Sequence, residues 1–441
     1  MEVRKKLGSL LIESGLISES QLQTKIREET NLALQNLQTN TIFEESELRS
    51  TNTGSDAPIV RTVNSIIQQA IFMNASDIHL EPMEDIMRVR FRIDGMLKQV
   101  MDLPKASSQA IVSRIKIMAD MDIAEKRLPQ DGRIQLKINK SEIDLRCSSI
   151  PTIFGEKIVL RILDRNNMII SLEKLGFASE LLAEYKKLIS ISYGMILVTG
   201  PTGSGKTTTL YATLNEINTA EKNIVTIEDP VEYILRGITQ IGVNAKAGLS
   251  FARGLRSILR QDPDVIMIGE IRDRETADIA VRAATTGHLV FSTLHTNNAA
   301  GALPRLIDMG AENYLVASAL IGVIAQRLVR RICPFCKEEY IICAGSPQAL
   351  FMGLKQKDIV LYRGKGCYKC GYSGYKGRMA IHEVLRVNDR IRELIMEKAS
   401  AEKIKQAAVA DGMISLKEDG VLKALKGLTT IDEVMRIAYI E

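Results

Sequence analysis

The sequence predicts an α/β protein of several domains, centred on a parallel sheet covered by helices on both faces. Between residues 194 and 295, short apolar segments such as GMILVTG, VIMIGEI and HLVFSTLH alternate with helical patterns such as KTTTLYATLNEI. This alternation is typical of a parallel sheet. At 441 residues the chain is also too long for one compact core. Upstream, a helical segment precedes several strand patterns of period two, which indicates a smaller α+β domain.

The composition is that of an ordinary globular protein, with 45% apolar residues, 25% charged residues and a net charge of +5. The start, MEVRKKLGSLL, lacks the apolar core and cleavage site of a signal peptide. No segment reaches the ~20 apolar residues that a membrane-spanning helix needs. The longest apolar stretch, YLVASALIGVIA from Tyr314, predicts a buried helix. We therefore expect a cytoplasmic protein whose cysteines are reduced.

Changes in composition and periodicity divide the chain into segments. The beginning has helical periodicity with a capping pattern, and it is followed by a polar stretch rich in Ser, Thr and Glu. The end is helical, with a capping box from Thr430 to Glu433. The predicted segments are a short helical docking segment (1–40), a linker (41–57), an α+β domain (58–165), a parallel α/β domain (173–330), a cysteine-containing subdomain (331–380) and a helical C-terminal subdomain (381–441).

GPTGSGKT, residues 200–207, has the full pattern of a phosphate-binding P-loop and lies between a predicted strand and a predicted helix. Glycines allow backbone N–H groups to surround phosphate oxygens at the positive end of the helix. Lys206 can reach the β and γ phosphates, and the Thr207 hydroxyl can coordinate Mg²⁺. A glycine-rich turn without a ligand is the alternative, and the flanking elements argue against it. The predicted nucleotide contacts are Gly200, Pro201, Thr202, Gly203, Ser204, Gly205, Lys206, Thr207 and Thr208.

Acidic residues and histidines follow the predicted strands downstream of this loop. TIEDPVEY contains Glu228 and Glu232, and VIMIGEI contains Glu270. A carboxylate just after a buried parallel strand lies at the ligand edge of the sheet, where it can support Mg²⁺ or activate water. His288 and His295 stand at the two ends of HLVFSTLH. Their residue type leaves open whether they are structural hydrogen-bonding groups or neighbours of the γ-phosphate.

Four of the six cysteines form two CxxC pairs, CPFC (Cys333 and Cys336) and CYKC (Cys367 and Cys370). Two such pairs in a reduced chain indicate four thiolates around one structural Zn²⁺. The thirty residues between the pairs exceed the commonest spacing, so we expect a small subdomain with an insertion. A redox centre is the alternative, although it would need one CxxC at the start of a helix.

The order of these motifs resembles the secretion ATPases of type II secretion and type IV pilus assembly. LRQDPDVIMIGEIRD resembles the signature around their second nucleotide motif, TIEDPVEY their aspartate box and TGHLVFSTLHTN their histidine box. ASDIHLEP, RFRIDG, RLPQDGR and FGEKIVLRIL are similar to the domain that precedes the motor in this family. The resemblance extends over residues 58–441. The first 40 residues match only the beginning of the family's N-terminal docking module, which leaves cyclic di-GMP binding open.

The resemblance implies a RecA-like motor domain preceded by a smaller, PAS-like α+β domain, with a zinc-knuckle subdomain and a helical C-terminus. Nucleotide would bind between the first two domains. Glu270 would be the general base, Glu228 and Glu232 would support the metal, and His295 would face the γ-phosphate with His288 nearby. Arginines would spread the phosphate charge, although surface ion pairing is the alternative. These arginines are Arg256 and Arg260, near the active site or subunit boundary, and Arg133 and Arg146, from the preceding domain.

The resemblance also implies ATP, Mg²⁺ and structural Zn²⁺ as cofactors. Assembly ATPases of this family carry a tetracysteine subdomain and retraction ATPases generally lack it, so an assembly motor is expected. It would be a homohexamer, peripheral to the inner membrane of a bacterium, with a platform protein and a membrane-anchored docking protein as partners. A RecA-type nucleic-acid translocase or helicase is the alternative, but the weak net charge and 5% aromatic content argue against nucleic-acid binding. A scaffold that binds nucleotide without hydrolysis is the third possibility.

Overall fold

The computed structural model describes residues 57–138, 141–164, 170–353 and 358–438. The predictions for residues 1–40 and for the linker up to residue 56 concern positions outside these ranges. The helices are α1 (Ala57–Phe72), α2 (Lys105–Met118), α3 (Ser179–Ile189), α4 (Lys206–Ile217), α5 (Phe251–Ile258), α6 (Arg274–Thr285), α7 (Ala302–Asp308), α8 (Asn313–Ala319), α9 (Pro347–Phe351), α10 (Asp389–Met396), α11 (Ala401–Ala410), α12 (Leu416–Leu425) and α13 (Ile431–Ala438).

The strands form three sheets of six, seven and two members within the described ranges. They are β1 (Ala75–Pro82), β2 (Ile86–Ile93), β3 (Met96–Pro104), β4 (Gln130–Ile138), β5 (Ser141–Thr152), β6 (Gly155–Asp164), β7 (Gly194–Thr199), β8 (Ile224–Glu228), β9 (Thr239–Gly242), β10 (Val265–Ile268), β11 (Leu289–Leu294), β12 (Leu320–Ile332), β13 (Lys337–Ile342), β14 (Ile359–Gly364) and β15 (Tyr375–Arg386).

The first unit is an antiparallel sheet in the order β3-β2-β1-β6-β5-β4, against which α1 and α2 pack. Its strands have one buried face because apolar and polar residues alternate along them. In β2, for example, Met87, Val89 and Phe91 are fully buried, whereas the arginines between them lie on the other face. This sheet confirms the prediction of an α+β fold ahead of the main domain.

The second unit is a seven-stranded sheet in the order β15-β12-β7-β11-β10-β8-β9. The strands from β12 to β9 are parallel, and β15 alone runs antiparallel to its neighbour. β7, β10 and β11 are buried along their whole length because helices cover both faces of the sheet. The predicted α/β class is confirmed, and the carboxyl ends of the parallel strands form one edge that receives the site.

The apolar stretch from Tyr314 forms a helix and a strand, so the prediction of one buried helix was wrong. Helix α8 ends at Ala319, and β12 begins at Leu320 and pairs with both β7 and β15. Strand β12 is buried along most of its length and helix α8 on one face, and a continuous apolar run does not distinguish helix from strand. The β-branched residues Ile321, Val323 and Ile324 favour the strand.

The cysteine-containing subdomain is an insertion between two strands of the main sheet. β12 runs on to Ile332, and β15 starts at Tyr375 and continues to Arg386, so the predicted boundaries at 330 and 380 fall inside strands. The C-terminal helices begin at Asp389 and not near Ile381 as expected. From Ala380 to Leu385 every residue of β15 is buried, and a short continuous buried run does not distinguish strand from helix in the sequence.

The predicted capping box near the C-terminus is half formed. The Glu433 N–H donates to the Thr430 hydroxyl at 3.2 Å. The Glu433 carboxylate does not return to the backbone of Thr430, because it pairs with Arg330 at 2.6 Å and with Arg436 at 3.0 Å. Helix α13 is thereby fixed to β12, just before the first cysteine pair.

The longest described helix, α1, has 16 residues. No helix in the described ranges combines the length and the apolar character needed to cross a bilayer.

Candidate functional site

The P-loop lies at the carboxyl edge of the main sheet, between β7 and α4. Its backbone needs glycine at two positions in particular. Gly205, the residue before α4, has φ +90°, and Gly200 has φ +150°. A Cβ atom on Gly200 would lie 2.6 Å from the carbonyl oxygen of Gln326, so the loop packs against the neighbouring strand. The predicted strand–loop–helix setting of the P-loop is therefore present.

Lys206 opens helix α4 and folds back over the loop. Its ammonium group donates to the carbonyl oxygens of Gly200 at 2.8 Å and Pro201 at 3.1 Å. Burial lowers the pKa of Lys206, the negative charge of Glu270 partly offsets this shift, and Arg327 adds to it. β7 and β10 run parallel in one sheet, so the lysine and the predicted general base lie at the same edge of it. Thr207, the predicted Mg²⁺ ligand, is exposed at the start of the helix.

Glu270 follows β10 and lies beside His295, which follows the adjacent parallel strand β11. The Glu270 Oε2 atom is 3.4 Å from His295 Nε2, and its other carboxylate oxygen pairs with Arg272. The Glu270 side chain is only 15% exposed. The structure thus brings together two of the predicted residues. It adds Arg272, which lies within the signature segment but was not singled out from the sequence.

His288 lies at the opposite end of β11 from His295. Its ring nitrogen Nδ1 is 2.9 Å from the carbonyl oxygen of Ala283, at the end of helix α6. A six-residue strand spans roughly 20 Å, so the two histidines are far apart. The expectation that His288 lies near His295 is therefore corrected. The extended strand β11 holds the two histidines at its opposite ends.

Glu228 is enclosed in a buried hydrogen-bond network. It is 3% exposed and accepts hydrogen bonds from the hydroxyl groups of Tyr211 and Thr226 and from Gln240 at 3.2 Å. Burial raises the pKa of Glu228, although these hydrogen bonds oppose the shift. Because Tyr211 belongs to α4, the network joins the end of β8 to the helix that begins at the P-loop. This tyrosine lies in no recognisable sequence motif.

Glu232 connects the seven-stranded sheet to the antiparallel unit that precedes it. Its Oε2 atom is 3.0 Å from the guanidinium group of Arg146 on β5, and each side chain is about one-third exposed. One of the two arginines predicted to reach the nucleotide from the preceding unit therefore lies against the segment that follows β8.

The other predicted arginines have partners elsewhere: two form ion pairs, and one donates hydrogen bonds within its own helical segment. Arg133 donates to Asp144 within its own sheet, with an Nε–Oδ1 distance of 2.6 Å. Arg256 pairs with Glu275 at 2.5 Å, and Arg260 donates to the carbonyl oxygen of Arg256 at 2.7 Å. The Arg256 side chain is 54% exposed. Contacts of these arginines with nucleotide or with another subunit stay predictions.

The four predicted metal ligands converge on one point. The Sγ atoms of Cys333, Cys336, Cys367 and Cys370 all lie within 4.8 Å of one another. Three of the separations are 3.8, 3.9 and 3.8 Å. Tetrahedral Zn²⁺ with bonds of about 2.3 Å requires sulfur–sulfur distances of roughly 3.8 Å. The donor set therefore fits one closed zinc site.

Backbone N–H groups donate to two sulfur atoms of this cluster. Gly366 N–H donates to Cys336 Sγ at 3.3 Å, while Cys367 N–H and Gly374 N–H donate to Cys370 Sγ at 3.2 and 3.3 Å. Burial by itself acts to raise the pKa of Cys370, but these two backbone donors, together with the side chains of Cys367 and Cys336, outweigh it and lower the pKa to about 6. At Cys336, burial outweighs the single backbone donor and raises the pKa to about 12. Of the remaining cysteines, Cys147 is buried and Cys343 is exposed outside the cluster.

A P-loop at the carboxyl edge of a parallel sheet, with a strand-end glutamate beside it, defines an ATPase of the RecA-like class. The profile of the family described as "Type II/IV secretion system protein" matches residues 52–436. The chain belongs to this family.

Curated relatives from both branches of the family are about half identical to the chain. The "Type II secretion system ATPase E" of Vibrio cholerae serotype O1 is 50% identical over 382 residues, covering 87% of this chain and 76% of the relative. The "Type IV pilus assembly ATPase PilB" of Thermus thermophilus is 52% identical over 377 residues, covering 85% of this chain and 42% of the relative. The "Type IV pilus assembly ATPase PilB" of Myxococcus xanthus is 51% identical, covering 86% and 68%.

Solved structures support the fold. The structure described as the pilus retraction motor PilT with bound ADP has a TM-score of 0.56 and 29% identity, covering 85% of this chain and 96% of that protein. The ATPase DotB of Legionella pneumophila has a TM-score of 0.65 at 19% identity, covering 86% and 96%, and shows the fold alone. Together the comparisons confirm the secretion ATPase interpretation over the nucleic-acid translocase.

Proposed function

We propose that the chain is an assembly motor, which uses ATP hydrolysis to build a pilus or pseudopilus fibre. In this proposal it works as a ring of six subunits at the cytoplasmic face of a bacterial inner membrane. It acts on a platform protein and is held by a membrane-anchored docking protein. The observation that carries the proposal is the four-cysteine unit inserted between β12 and β15, because the family's assembly members carry such a unit and its retraction members generally lack it.

The residues at the carboxyl edge of the sheet divide the work of hydrolysis. Lys206 and the N–H groups of the P-loop bind the phosphates, and the Thr207 hydroxyl would hold the Mg²⁺ that neutralises phosphate charge. Glu270 accepts the proton of the attacking water. His295 orients the Glu270 carboxylate from a distance of 3.4 Å, and Arg272 holds its other oxygen.

Hydrolysis can produce movement because the site is close to the junction of the two units. Arg146 and Glu232 form one link across this junction. Asp94, in the turn between β2 and β3, forms a second one by accepting the Gly377 N–H at 2.9 Å. A change in charge at the nucleotide alters the balance of such contacts, so the units would shift relative to each other with each cycle.

The cysteine unit would hold Zn²⁺ through all four sulfur atoms. Such a closed site supplies rigidity and no open position for water or substrate. The unit also rests on the C-terminal helices, through an apolar cluster that includes Ile342, Leu361 and Val434. Zinc would therefore stabilise the fold of the cysteine unit next to the seven-stranded sheet.

Co-purification of a trapped motor tests this function. Glu270→Gln in the full chain should bind ATP and hydrolyse it poorly, so that the assembled motor accumulates on its partners in the native host. Lys206→Ala, which should bind nucleotide weakly, is the matched control. We expect mass spectrometry to identify a polytopic inner-membrane protein with pilin-like subunits in the Glu270→Gln sample alone. Recovery of nucleic acid without a membrane protein would contradict the proposal.

A further inference from the structure

Gln326 lies directly beneath the P-loop, on a strand that the sequence did not reveal. β12 is the parallel neighbour of β7, with Ala325 opposite Thr199, the last residue before the P-loop. Residue 326 therefore emerges where the loop begins. The Gln326 side chain is only 1% exposed, and a buried amide of this kind needs partners for both its donor and its acceptor.

The Gln326 amide forms one hydrogen bond as a donor, to the P-loop, and one as an acceptor, from helix α4. Its Nε2 group donates to the carbonyl oxygen of Ser204 at 2.7 Å. Its Oε1 atom accepts a hydrogen bond from the Thr209 hydroxyl at 2.7 Å. The contact is close, since a Cβ atom on Gly205 would lie 3.0 Å from Nε2.

The hydrogen bond to Ser204 determines which way one peptide group of the loop faces. The Ser204 carbonyl and the Gly205 N–H belong to the same trans peptide, so they point in opposite directions. When the carbonyl is held against Gln326, the N–H points away from β12, into the loop where phosphate oxygens bind. Loops of this type bind anions through N–H groups that converge in this way.

We propose that Gln326 is a positioning residue for nucleotide, which holds the Ser204–Gly205 peptide with its N–H toward the phosphates. The inference rests on the proposed nucleotide site at the P-loop. Without the amide donor, the glycine-flanked peptide can rotate, and its carbonyl oxygen then repels the anion. The P-loop binds the phosphates equally in the ground state and in the transition state of hydrolysis. Loss of the Gln326 hydrogen bond should therefore raise KM for ATP with little change in kcat.

Two substitutions separate the hydrogen bonds of Gln326. Gln326→Glu has the same shape and can still accept from Thr209, but it cannot donate to Ser204. Thr209→Val removes the other hydrogen bond and leaves the one to Ser204. Gln326→Met removes both without adding charge. The measurements are the Kd of a fluorescent ADP analogue with Mg²⁺, the kcat and KM of ATP hydrolysis, and the melting temperature without nucleotide.

We expect Gln326→Glu and Gln326→Met to weaken nucleotide binding by about tenfold or more, a loss of the size that follows removal of the hydrogen-bond partner of a metal ligand. Thr209→Val should stay within about threefold of the unmodified chain. If Gln326→Met binds normally and only Gln326→Glu is weak, charge repulsion explains the loss and the inference fails. If Thr209→Val weakens binding as much as Gln326→Met, with parallel losses of melting temperature, the role of Gln326 is structural and the inference is also overturned.

Lys206→Ala distinguishes this inference from the proposed site itself. If Lys206→Ala binds nucleotide normally, the nucleotide does not occupy the P-loop, and both proposals are wrong. If Lys206→Ala is weak and Gln326→Met is normal, only the role of Gln326 is rejected. Should Gln326→Met not fold, Gln326→Asn replaces it, because its shorter amide stays polar but cannot reach Ser204 and should lose affinity to the same extent.

Discussion

Arg146 and Glu232 form an ion pair of 3.0 Å that links the antiparallel unit to the motor sheet. Both side chains are about one-third exposed. An ion pair of this exposure contributes at most about 1 kcal/mol, or roughly a fivefold effect on an equilibrium. This limit makes it possible to tell a simple link between the units from a direct contact between Arg146 and nucleotide.

We expect Arg146→Ala to lower kcat for ATP hydrolysis by about tenfold or more, because an arginine that reaches the phosphates stabilises the charge of the transition state. Glu232→Ala removes the same ion pair and should cost less than about fivefold. Phosphate release by the assembled protein is the measurement. Equal losses in the two variants would mean that Arg146 acts through the ion pair alone.

Arg133→Ala is the matched control for this experiment. Arg133 lies opposite Arg146 in the pairing of β4 with β5, but its guanidinium group is held by Asp144 of its own sheet. Its loss should change kcat by less than about threefold, since the contact with Asp144 is local. A large effect would show that both arginines reach the nucleotide, as the family resemblance implies.

The two histidines should differ sharply in their effect on hydrolysis. His295→Ala removes the ring 3.4 Å from Glu270 and should lower kcat by about ten- to a hundredfold, because a general base must be held in position. The Kd for nucleotide should change little. His288→Ala, at the far end of β11, should leave kcat within about twofold. Similar losses of kcat in both variants would contradict these assignments.

The local parts of the site were predictable from the sequence, because each is encoded in a short contiguous pattern. The P-loop, Glu270 and both cysteine pairs are of this kind. The four sulfur atoms in fact lie at distances that suit one metal ion. The parallel sheet was predictable too, since its strands are separate apolar runs flanked by helical patterns.

The parts that depend on strand neighbours were not predictable. β12 shares one apolar run with α8, and its β-branched residues do not show where the helix ends and the strand begins. Its pairing with β7 and β15 defines the strand. Gln326 therefore gave no signal, although it lies under the P-loop. Its neighbour Arg327 donates to the Asn297 carbonyl at 2.6 Å, in the loop that follows His295, and was missed for the same reason.

Removal of one cysteine should abolish metal binding. We expect Cys336→Ser to reduce bound zinc from about one ion per chain to nearly none, since three thiolates leave a structural site incomplete. Elemental analysis of the purified protein is the measurement. Cys343→Ser is the control, because Cys343 is exposed and outside the cluster. Unchanged zinc content in Cys336→Ser would reject the four-sulfur site.

Glu433 should make stability depend on pH in the acid range. Burial by itself acts to raise the pKa of Glu433, but the hydrogen bonds from Arg330 and Arg436 outweigh it and lower the pKa to about 2, below the ordinary value of 4.5. The contribution of the ionised carboxylate is therefore complete above pH 4.5 and is lost as the pH falls toward 2. Between pH 7 and pH 3.5 the loss is about 1 kcal/mol.

Glu433→Gln isolates this contribution, because the amide does not titrate. We expect the variant to melt several degrees below the unmodified chain at pH 7. This difference in melting temperature should narrow at pH 3.5, because the Glu433 carboxylate takes up a proton in the unfolded chain while it stays ionised in the folded one. Glu393→Gln, at an exposed position of α10, should melt at the same temperature as the unmodified chain at either pH. A gap for Glu433→Gln that is the same at both pH values would mean that packing of the side chain, and not its charge, fixes α13 to β12.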